Sequence, residues 1–176
     1  MLNNRYDIIS NLNKSHYAIT YLAYDKEKNL KVIIKELIFK ELPDWKAVEM
    51  FEREANILKQ LNHQNIPKFI DYFTIESENQ ARFYLVQNYF EGINIKQAVK
   101  SKERLTESKA LENLKKLLKI LDYIHSINPP VIHRDIKPEN IIIQENEDLA
   151  LVDFGSVKAM EKGDMTIVGT YGYMPL

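Results

Sequence analysis

Residues 131–143 read VIHRDIKPENIII, and this short stretch decides how the rest of the sequence is interpreted. Two aliphatic runs, at 131–132 and 141–143, have the character of short buried strands. The chain between them carries polar side chains, namely His133, Arg134, Asp135, Lys137, Glu139 and Asn140. Polar groups are costly to bury unless they are paired, so this placement between two core strands predicts a functional site.

The composition is that of a globular chain without a strong charge bias. Its 176 residues are 45% hydrophobic and 28% charged, enough for one domain or two small lobes with a real core. A formal net charge of -1 gives no field that would favour nucleic acid or an anionic membrane. The absence of cysteine excludes disulfides and thiolate metal sites. No signal peptide or membrane span is recognisable, so we expect a cytoplasmic protein.

The first half of the sequence alternates short strand-like segments with one amphipathic helix. Apolar residues at helical spacing predict that helix at 45–61, after Pro43 and Asp44. Runs rich in β-branched and aromatic residues predict five strands, at 6–12, 19–24, 31–37, 69–75 and 82–87. This order predicts a five-stranded antiparallel sheet with one helix.

The second half is dominated by a long helix. Thr106 is a candidate N-cap for a helix over 107–125, and a further short strand is expected at 149–152, ending in an acid. The helix has an apolar stripe, expected to be core, made of Ala110, Leu111, Leu114, Leu117, Leu118, Leu121 and Ile124. The boundary between a strand-rich lobe and a helical lobe is predicted at 88–92.

Three polar residues lie at predicted strand ends, where a compact hairpin would bring them together. Asp135 follows one strand, Asn140 precedes the next, and Asp153 ends a third. Carboxylate and amide oxygens suit Mg²⁺, which uses one or two carboxylates together with waters and substrate phosphates. Lys137 carries a charge that neutralises a transferring phosphoryl group. These residues therefore predict phosphoryl transfer.

With these motifs the sequence resembles the eukaryotic-type (Hanks-type) serine/threonine protein kinases, in a bacterial-like form. HRDIKPEN at 133–140 is similar to the catalytic loop, and DFG at 153–155 to the magnesium-binding motif. VIIK at 32–35 is similar to the strand of the ATP-contacting lysine, and FERE at 51–54 to the helix of its glutamate partner. The resemblance runs from residue 5 to the C-terminus.

The resemblance implies an α+β protein kinase-like fold. Its N-lobe, with the nucleotide-binding sheet and one helix, would span 1–87, and the hinge would span 88–92. A partial C-lobe would span 93–176 and contain the long helix, the catalytic loop, DFG and the start of the activation segment. The implied reaction is ATP-dependent phosphorylation of a serine or threonine in a protein substrate.

The resemblance also implies a role for each motif residue, with ATP and Mg²⁺ as cofactors. Lys35 would hold the α- and β-phosphates, and Glu54 would pair with it. Asp135 would orient the substrate hydroxyl and accept its proton, while Lys137 would stabilise the γ-phosphoryl group. The magnesium ligands would be Asn140 and Asp153.

Further residues are assigned to nucleotide binding and regulation by the same resemblance. Gln87 would lie at the back of the adenine pocket, and the backbone of 88–90 would hydrogen-bond the base. Arg134 would pair with a phosphate added to the activation segment. The complete additional ATP-binding set is Leu12, Asn13, Ser15, Ala18, Thr20, Gln87, Asn88, Tyr89 and Phe90. The candidate regulatory hydroxyls are those of Thr166 and Thr170.

Two departures from the family pattern leave more than one function open. Asn13, Ser15 and Ala18 occupy the three glycine positions of the phosphate lid, where glycine allows close backbone approach. The sequence ends at GTYGYMPL, inside the helical lobe of the family, so we expect a truncated kinase with a surface that a partner protein covers. The hypotheses are an active serine/threonine kinase, a weak or inactive pseudokinase-like binding module, and, ranked last, a small-molecule phosphotransferase of related fold.

Overall fold

The computed structural model describes residues 1–14, 18–37, 45–77, 80–101 and 106–159. The predicted helix start at 43–44 and three predicted site residues, Ser15, Thr166 and Thr170, lie outside these ranges. The described chain forms two compact units. The first comprises Met1–Lys59 and Lys68–Tyr89, and the second comprises Gln60–Pro67 and the described residues from Phe90 onward.

The first unit is the predicted antiparallel sheet with one helix. The strands are ordered β1-β2-β3-β5-β4, and every neighbouring pair is antiparallel. The elements are β1 (Tyr6–Lys14), β2 (Ala18–Asp25), β3 (Leu30–Leu37), α1 (Trp45–Gln60), β4 (Phe69–Ser77) and β5 (Gln80–Asn88). The fold class and the five-stranded sheet are therefore confirmed, with strand ends that differ from the prediction by one or two residues.

The two faces of the sheet carry different residues because side chains alternate along each strand. Val32, Ile34, Tyr84 and Val86 are buried together in an apolar cluster. The alternate positions, including Lys35 and those directly opposite it, face the other way, toward α1. The charged Lys35 therefore lies on the face next to α1, opposite the apolar cluster.

The two edge strands of the sheet meet at one end. The Tyr6 ring on β1 stacks on Phe73 of β4 with ring centroids 5.9 Å apart. Its hydroxyl donates to Oδ2 of Asp71, also on β4, over 2.9 Å. Arg5 donates to both oxygens of the fully buried Asp25 at 2.8 and 2.6 Å, and these bonds lower the pKa of that carboxyl. The sheet is thus strongly curled, with polar contacts closing its open end.

The second unit is built on a long helix and short strands that flank the HRDIKPEN motif at 133–140. Its elements are β6 (Gly92–Asn94), α2 (Ile95–Lys100), α3 (Glu107–Ser126), β7 (Val131–Ile132), β8 (Ile141–Gln144), β9 (Leu149–Leu151) and β10 (Lys158–Ala159). β6, β8 and β9 form one antiparallel sheet, and β7 pairs with β10. Of the helices that the structure describes, none combines the length and apolar character that crossing a membrane requires.

Helix α3 confirms its predicted cap but not its predicted core face. The Thr106 side chain accepts a hydrogen bond from the backbone N–H of Lys109. The buried residues of the helix are Asn113, Ile120 and Ile124. Three leucines of the predicted stripe are about half exposed, namely Leu111, Leu114 and Leu118. The expectation that the stripe is core is wrong for these three leucines and for Ala110, which is also exposed, because the helix packs on β7 and β9 along a different line of its surface.

The segment between α1 and β4 belongs to the second unit. The Asn65 side-chain amide donates to Oδ2 of Asp148 at 2.8 Å and to the backbone carbonyl of Leu149 at 2.5 Å. The Asn65 carbonyl in turn accepts from the N–H of Leu151. These bonds attach residues 60–67 to β9, although the predicted N-lobe of 1–87 included them. The predicted hinge at 88–92 stays a proposal.

Candidate active site

The first group of site residues is a buried ion pair on the α1 face of the sheet. Nζ of Lys35, on β3, lies 2.5 Å from Oε1 of Glu54, on α1. The two residues are only 8% and 2% exposed, which excludes the alternative of an ordinary surface pair. Replacement of such a pair by packed hydrophobic residues is often neutral or stabilising, so a buried pair is weak evidence for a stabilising role. Its presence here is better explained by a requirement for a positioned cation.

Cross-strand register places three predicted nucleotide residues in one row. Asn13 on β1 lies opposite Thr20 on β2, and Thr20 lies opposite Lys35 on β3. Directly paired residues share a face, so all three lie on the α1 face of the sheet. Asn11 lies opposite Tyr21, which is on the other face and donates to Glu36. A register shift at Leu12 then brings Asn13 opposite Thr20.

The described residues of the phosphate lid lie in paired strands, next to the register shift at Leu12. β1 ends at Lys14, which pairs with Ile19 of β2, and Ala18 of β2 pairs with Leu37 of β3. Of the described lid residues, none has a positive φ. The left-handed backbone that glycine would allow is therefore not used at Asn13 or Ala18.

The residues predicted to hold the base lie at the end of β5. Gln87 is buried, at 4% exposure, and the backbone N–H of Asn88 donates to the Lys68 carbonyl. Tyr89 follows the strand and lies 5.9 Å from the ammonium of Lys31, while Phe90 is the first residue of this segment in the second unit. Gln87, Asn88 and Tyr89 are thus held by the first unit.

The second group of site residues is the catalytic loop, and its polar side chains contact one another. Oδ2 of Asp135 lies 2.7 Å from Nζ of Lys137 and accepts a 3.0 Å hydrogen bond from Nδ2 of Asn140. The same amide also donates to the Asp135 backbone carbonyl over 2.8 Å. A short 3-10 turn over Pro138–Asn140 folds the loop back and makes these contacts. The arrangement fixes a carboxylate beside a lysine, with the amide nitrogen of Asn140 turned toward it.

His133 and Arg134, which precede Asp135, contact the backbone around the DFG motif. Nε2 of His133 lies 3.2 Å from the Val152 carbonyl, its Nδ1 accepts from the Asp135 N–H, and its ring packs edge-on against Phe154. Only a neutral ring protonated on Nε2 makes both hydrogen bonds, and these bonds together with the ring contact make His133 a packing residue. Arg134 has a positive φ of 62° and donates to the Ser156 carbonyl over 2.8 Å.

Asp153 directly follows Val152, whose backbone is hydrogen-bonded to Asn140 of the catalytic loop. The backbone N–H of Val152 donates to the Asn140 carbonyl over 2.9 Å. Asp153 itself is left-handed, with a φ of 65°, and precedes a 3-10 turn at Phe154–Ser156. The Asn140 amide nitrogen donates its hydrogen bonds to Asp135, so the Asn140 amide oxygen is the atom suited to a cation. Asn140 and Asp153 thus fit Mg²⁺ chemically, as one amide and one carboxylate that leave room for waters and phosphates.

One contact of the catalytic loop was not foreseen from the sequence. Lys96 on α2 lies 2.5 Å from Oε1 of Glu139, and this neighbour lowers the pKa of the Glu139 carboxyl. Helix α2 itself is signalled by Asn94 and Gln97, which form a capping box at its start. The pairing across 43 positions has no signal in the local pattern.

Comparisons with known proteins identify the family of the chain. The family description "Protein kinase domain" matches residues 6–175. Serine/threonine-protein kinase B of Synechocystis sp. is 40% identical over 89% of this chain and 28% of its own length. Serine/threonine-protein kinase PknA of Nostoc sp. is 35% identical over 99% and 33%, and an Aurora kinase of Yarrowia lipolytica is 32% identical over 97% and 44%. The chain therefore spans about a third of the first two relatives and belongs to the protein kinase family.

Proposed function

We propose that this chain carries out ATP-dependent phosphorylation of serine or threonine side chains in a protein substrate. The observation that carries the proposal is the convergence of Asp135, Lys137 and Asn140 in one loop. A carboxylate held by two nitrogen donors is fixed in direction, as a base for a substrate hydroxyl must be.

The residues divide the work of phosphoryl transfer. Asp135 orients the substrate hydroxyl and takes its proton, and Lys137 balances charge on the γ-phosphoryl group. Lys35, aimed by Glu54, holds the α- and β-phosphates. Mg²⁺, when bound through Asn140 and Asp153, neutralises phosphate charge.

The proposal also covers base binding, regulation and a partner protein. Gln87 and the backbone of 88–90 bind the base, and Arg134 takes a regulatory phosphate. The exposed leucines of α3, spaced three and four residues apart, support a partner protein on that face. A cytoplasmic location stays a prediction from the sequence.

The experiment compares Asp135→Asn with the wild type in the complete 176-residue chain. Transfer of radiolabel from Mg-ATP to a mixed serine/threonine peptide library should fall ~10²- to 10⁴-fold, since that is the range for loss of a general base. Mg-ATP affinity should stay within about threefold (~0.65 kcal/mol), because the substitution leaves the nucleotide contacts intact. Asp122→Asn, at an exposed position on α3, is the matched control. Transfer that is absent in the wild type, or unchanged in Asp135→Asn, would overturn the proposal.

A second candidate function is nucleotide binding with weak or no transfer. It is favoured by the lid, where Asn13 and Ala18 lie in paired strands without the positive φ that glycine would allow. Replacing both, together with Ser15, by glycine should tighten Mg-ATP binding about 10- to 150-fold, if one hydrogen bond to a charged phosphate worth ~1.5–3 kcal/mol is gained. Tighter binding with more transfer would indicate a kinase limited by its lid. Unchanged affinity, with no transfer in either chain, would favour the binding module.

A further inference from the structure

The catalytic loop carries two carboxylates with a lysine between them in the sequence. Nζ of Lys137 lies 2.7 Å from Oδ2 of Asp135, the proposed base. The second carboxylate, Glu139, comes two residues after the lysine, in the 3-10 turn at Pro138–Asn140. A hydrogen bond from Lys96 and the charge of Lys137 both lower the pKa of the Glu139 carboxyl. Glu139 therefore competes with Asp135 for the Lys137 ammonium.

Glu139 has an acceptor to offer this second cation. Its Oε1 is bound by Lys96, but its Oε2 is buried and has no hydrogen-bond partner within the part of the chain that the structure describes. Buried acceptors are nearly always paired, so an unused carboxylate oxygen attracts a donor that can reach it. Lys137 has three ammonium donors and stands two residues away. How strongly Glu139 attracts it depends on how far the Glu139 charge is already neutralised.

Lys96 supplies this neutralisation from another element of the same unit. Its Nζ lies 2.5 Å from Oε1 of Glu139. A capping box between Asn94 and Gln97 fixes the start of α2, and β6, which leads into α2, pairs with β8 directly after the catalytic loop. Because the Lys96 side chain is 51% exposed, its ion pair contributes little to the stability of the fold. The pair is better explained by its effect on the charges of the loop.

We propose that Lys96 is a positioning residue for phosphoryl transfer: by holding Glu139, it leaves Lys137 on Asp135 and available to the γ-phosphoryl group. This role rests on the proposed kinase function. Without Lys96, two carboxylates share one ammonium, and Lys137 is drawn toward the wrong acid. Since Asp135 and Lys137 act on the group in transfer, the loss lowers kcat and leaves the KM for the peptide unchanged.

Two other roles of Lys96 predict different results. In the first, its exposed ammonium binds an acidic residue of the substrate directly. That contact would be lost with Lys96 whatever residue stood at position 139. In the second, the ion pair only attaches α2 to the loop. That attachment would be lost equally by removal of Lys96 or of Glu139.

The test is a double-mutant cycle in the complete 176-residue chain. The proteins are the wild type, Lys96→Met, Glu139→Gln and the double variant, and the assay is transfer of radiolabel from Mg-ATP to the best peptide of a mixed serine/threonine library. We expect Lys96→Met to lower kcat about fivefold when residue 139 is glutamate, the upper end of what an exposed ion pair contributes. With glutamine at 139 the same change should lower kcat less than about twofold, because no charge is left to attract Lys137.

Two control variants and one measurement without nucleotide make the result specific. Lys96→Arg retains the positive charge and should keep kcat within about twofold of the wild type. Lys100→Met removes another exposed lysine of α2 and should leave kcat unchanged. NMR detects the coupling across the hydrogen bond between the Lys137 ammonium nitrogen and the Asp135 carboxyl carbon. This coupling should be present in the wild type, weaken in Lys96→Met and return in the double variant.

The outcomes separate this inference from the proposed function. The same loss from Lys96→Met with glutamate or glutamine at position 139 would indicate a direct substrate contact and overturn the proposal. Equal losses in both single variants and the double variant, or no loss in Lys96→Met, would overturn it as well. Absence of transfer in every protein would refute the proposed function. The NMR coupling would then decide the role of Lys96, which fails if the coupling is the same with and without Lys96.

Discussion

Loss of one charge from the buried Lys35–Glu54 pair should destabilise the chain far more than loss of a similar charge at the surface. In Glu54→Gln the side chain keeps its shape, but the Lys35 ammonium, in a residue 8% exposed, loses its counter-charge. Breaking a buried pair in this way costs ~3–5 kcal/mol. For a chain of this size, a cost of that magnitude lowers the melting temperature by roughly 6–20 °C.

The assay is urea unfolding at pH 7 followed by circular dichroism, with a control on the same helix. Glu49 pairs with Arg53 at 2.8 Å, with side chains 69% and 38% exposed. Glu49→Gln should therefore cost only ~0.5 kcal/mol or less. A double variant, Lys35→Met with Glu54→Leu, should recover most of the stability, because a packed apolar pair has no charge to desolvate. Mg-ATP at ~100 times its dissociation constant should stabilise the wild type by ~2.7 kcal/mol and the double variant not at all.

Two results would refute this reasoning. If Glu54→Gln were no more destabilising than Glu49→Gln, the pair would not be electrostatically isolated from water. If the double variant lost as much stability as Lys35→Met and Glu54→Leu lose together, the pair would be needed to stabilise the fold. The argument that it is kept for phosphate binding would then fail.

Three further predictions concern other parts of the chain. Asp153→Asn should remove the magnesium-dependent part of the ATP-induced melting shift and leave the fold intact, because asparagine tolerates the left-handed backbone at φ 65°. Gly92→Ala should lower unfolding stability in urea by at least ~1–3 kcal/mol, since φ is +153° and the new Cβ would lie about 2.2 Å from the Ile143 carbonyl oxygen. Arg5 holds the pKa of Asp25 below its ordinary 3.8, so this carboxylate contributes stability above about pH 4 that is lost as the pH falls further. Asp25→Asn should lower the free energy of unfolding by ~1.5–3 kcal/mol at pH 7, and the variant should lose less stability than the wild type between pH 5 and 2. The same loss of stability with acid in both proteins would contradict this.

Regular elements with a long periodic pattern could be predicted from the sequence, and short ones could not. The five strands and α1 follow from alternating and helical apolar spacing, and Thr106 caps α3 where expected. Helix α2 has six residues and β6 has three, too few to show a period. The prediction for α3 fails at the exposed leucines because these are more apolar than the buried line, which includes Asn113. Which stripe is buried depends on the partner surface as well as on hydrophobicity.

The same distinction applies to the site. The contacts among Asp135, Lys137 and Asn140 join residues within five positions, so the motif itself specifies them. The contact of Lys35 with Glu54 depends on how α1 packs on β3, which the local pattern does not encode. The sequence suggested the pair only through resemblance to a family.

Six non-glycine residues of the described chain have a positive backbone φ. Left-handed backbone at Asn3, Asn4 and Asn29 is cheap because asparagine tolerates it. Aspartate tolerates the same geometry, so Asp153 is also cheap, and the two costly cases are Arg134, next to Asp135, and Glu147, in the turn between β8 and β9. Strain of ~1–3 kcal/mol at such a residue persists only where the surrounding structure enforces it. The pattern is an observation about backbone energy that makes no use of sequence resemblance. At Arg134 the strain lies next to Asp135 and motivates the proposed role of this loop, whereas at Glu147 the same strain lies outside the candidate site.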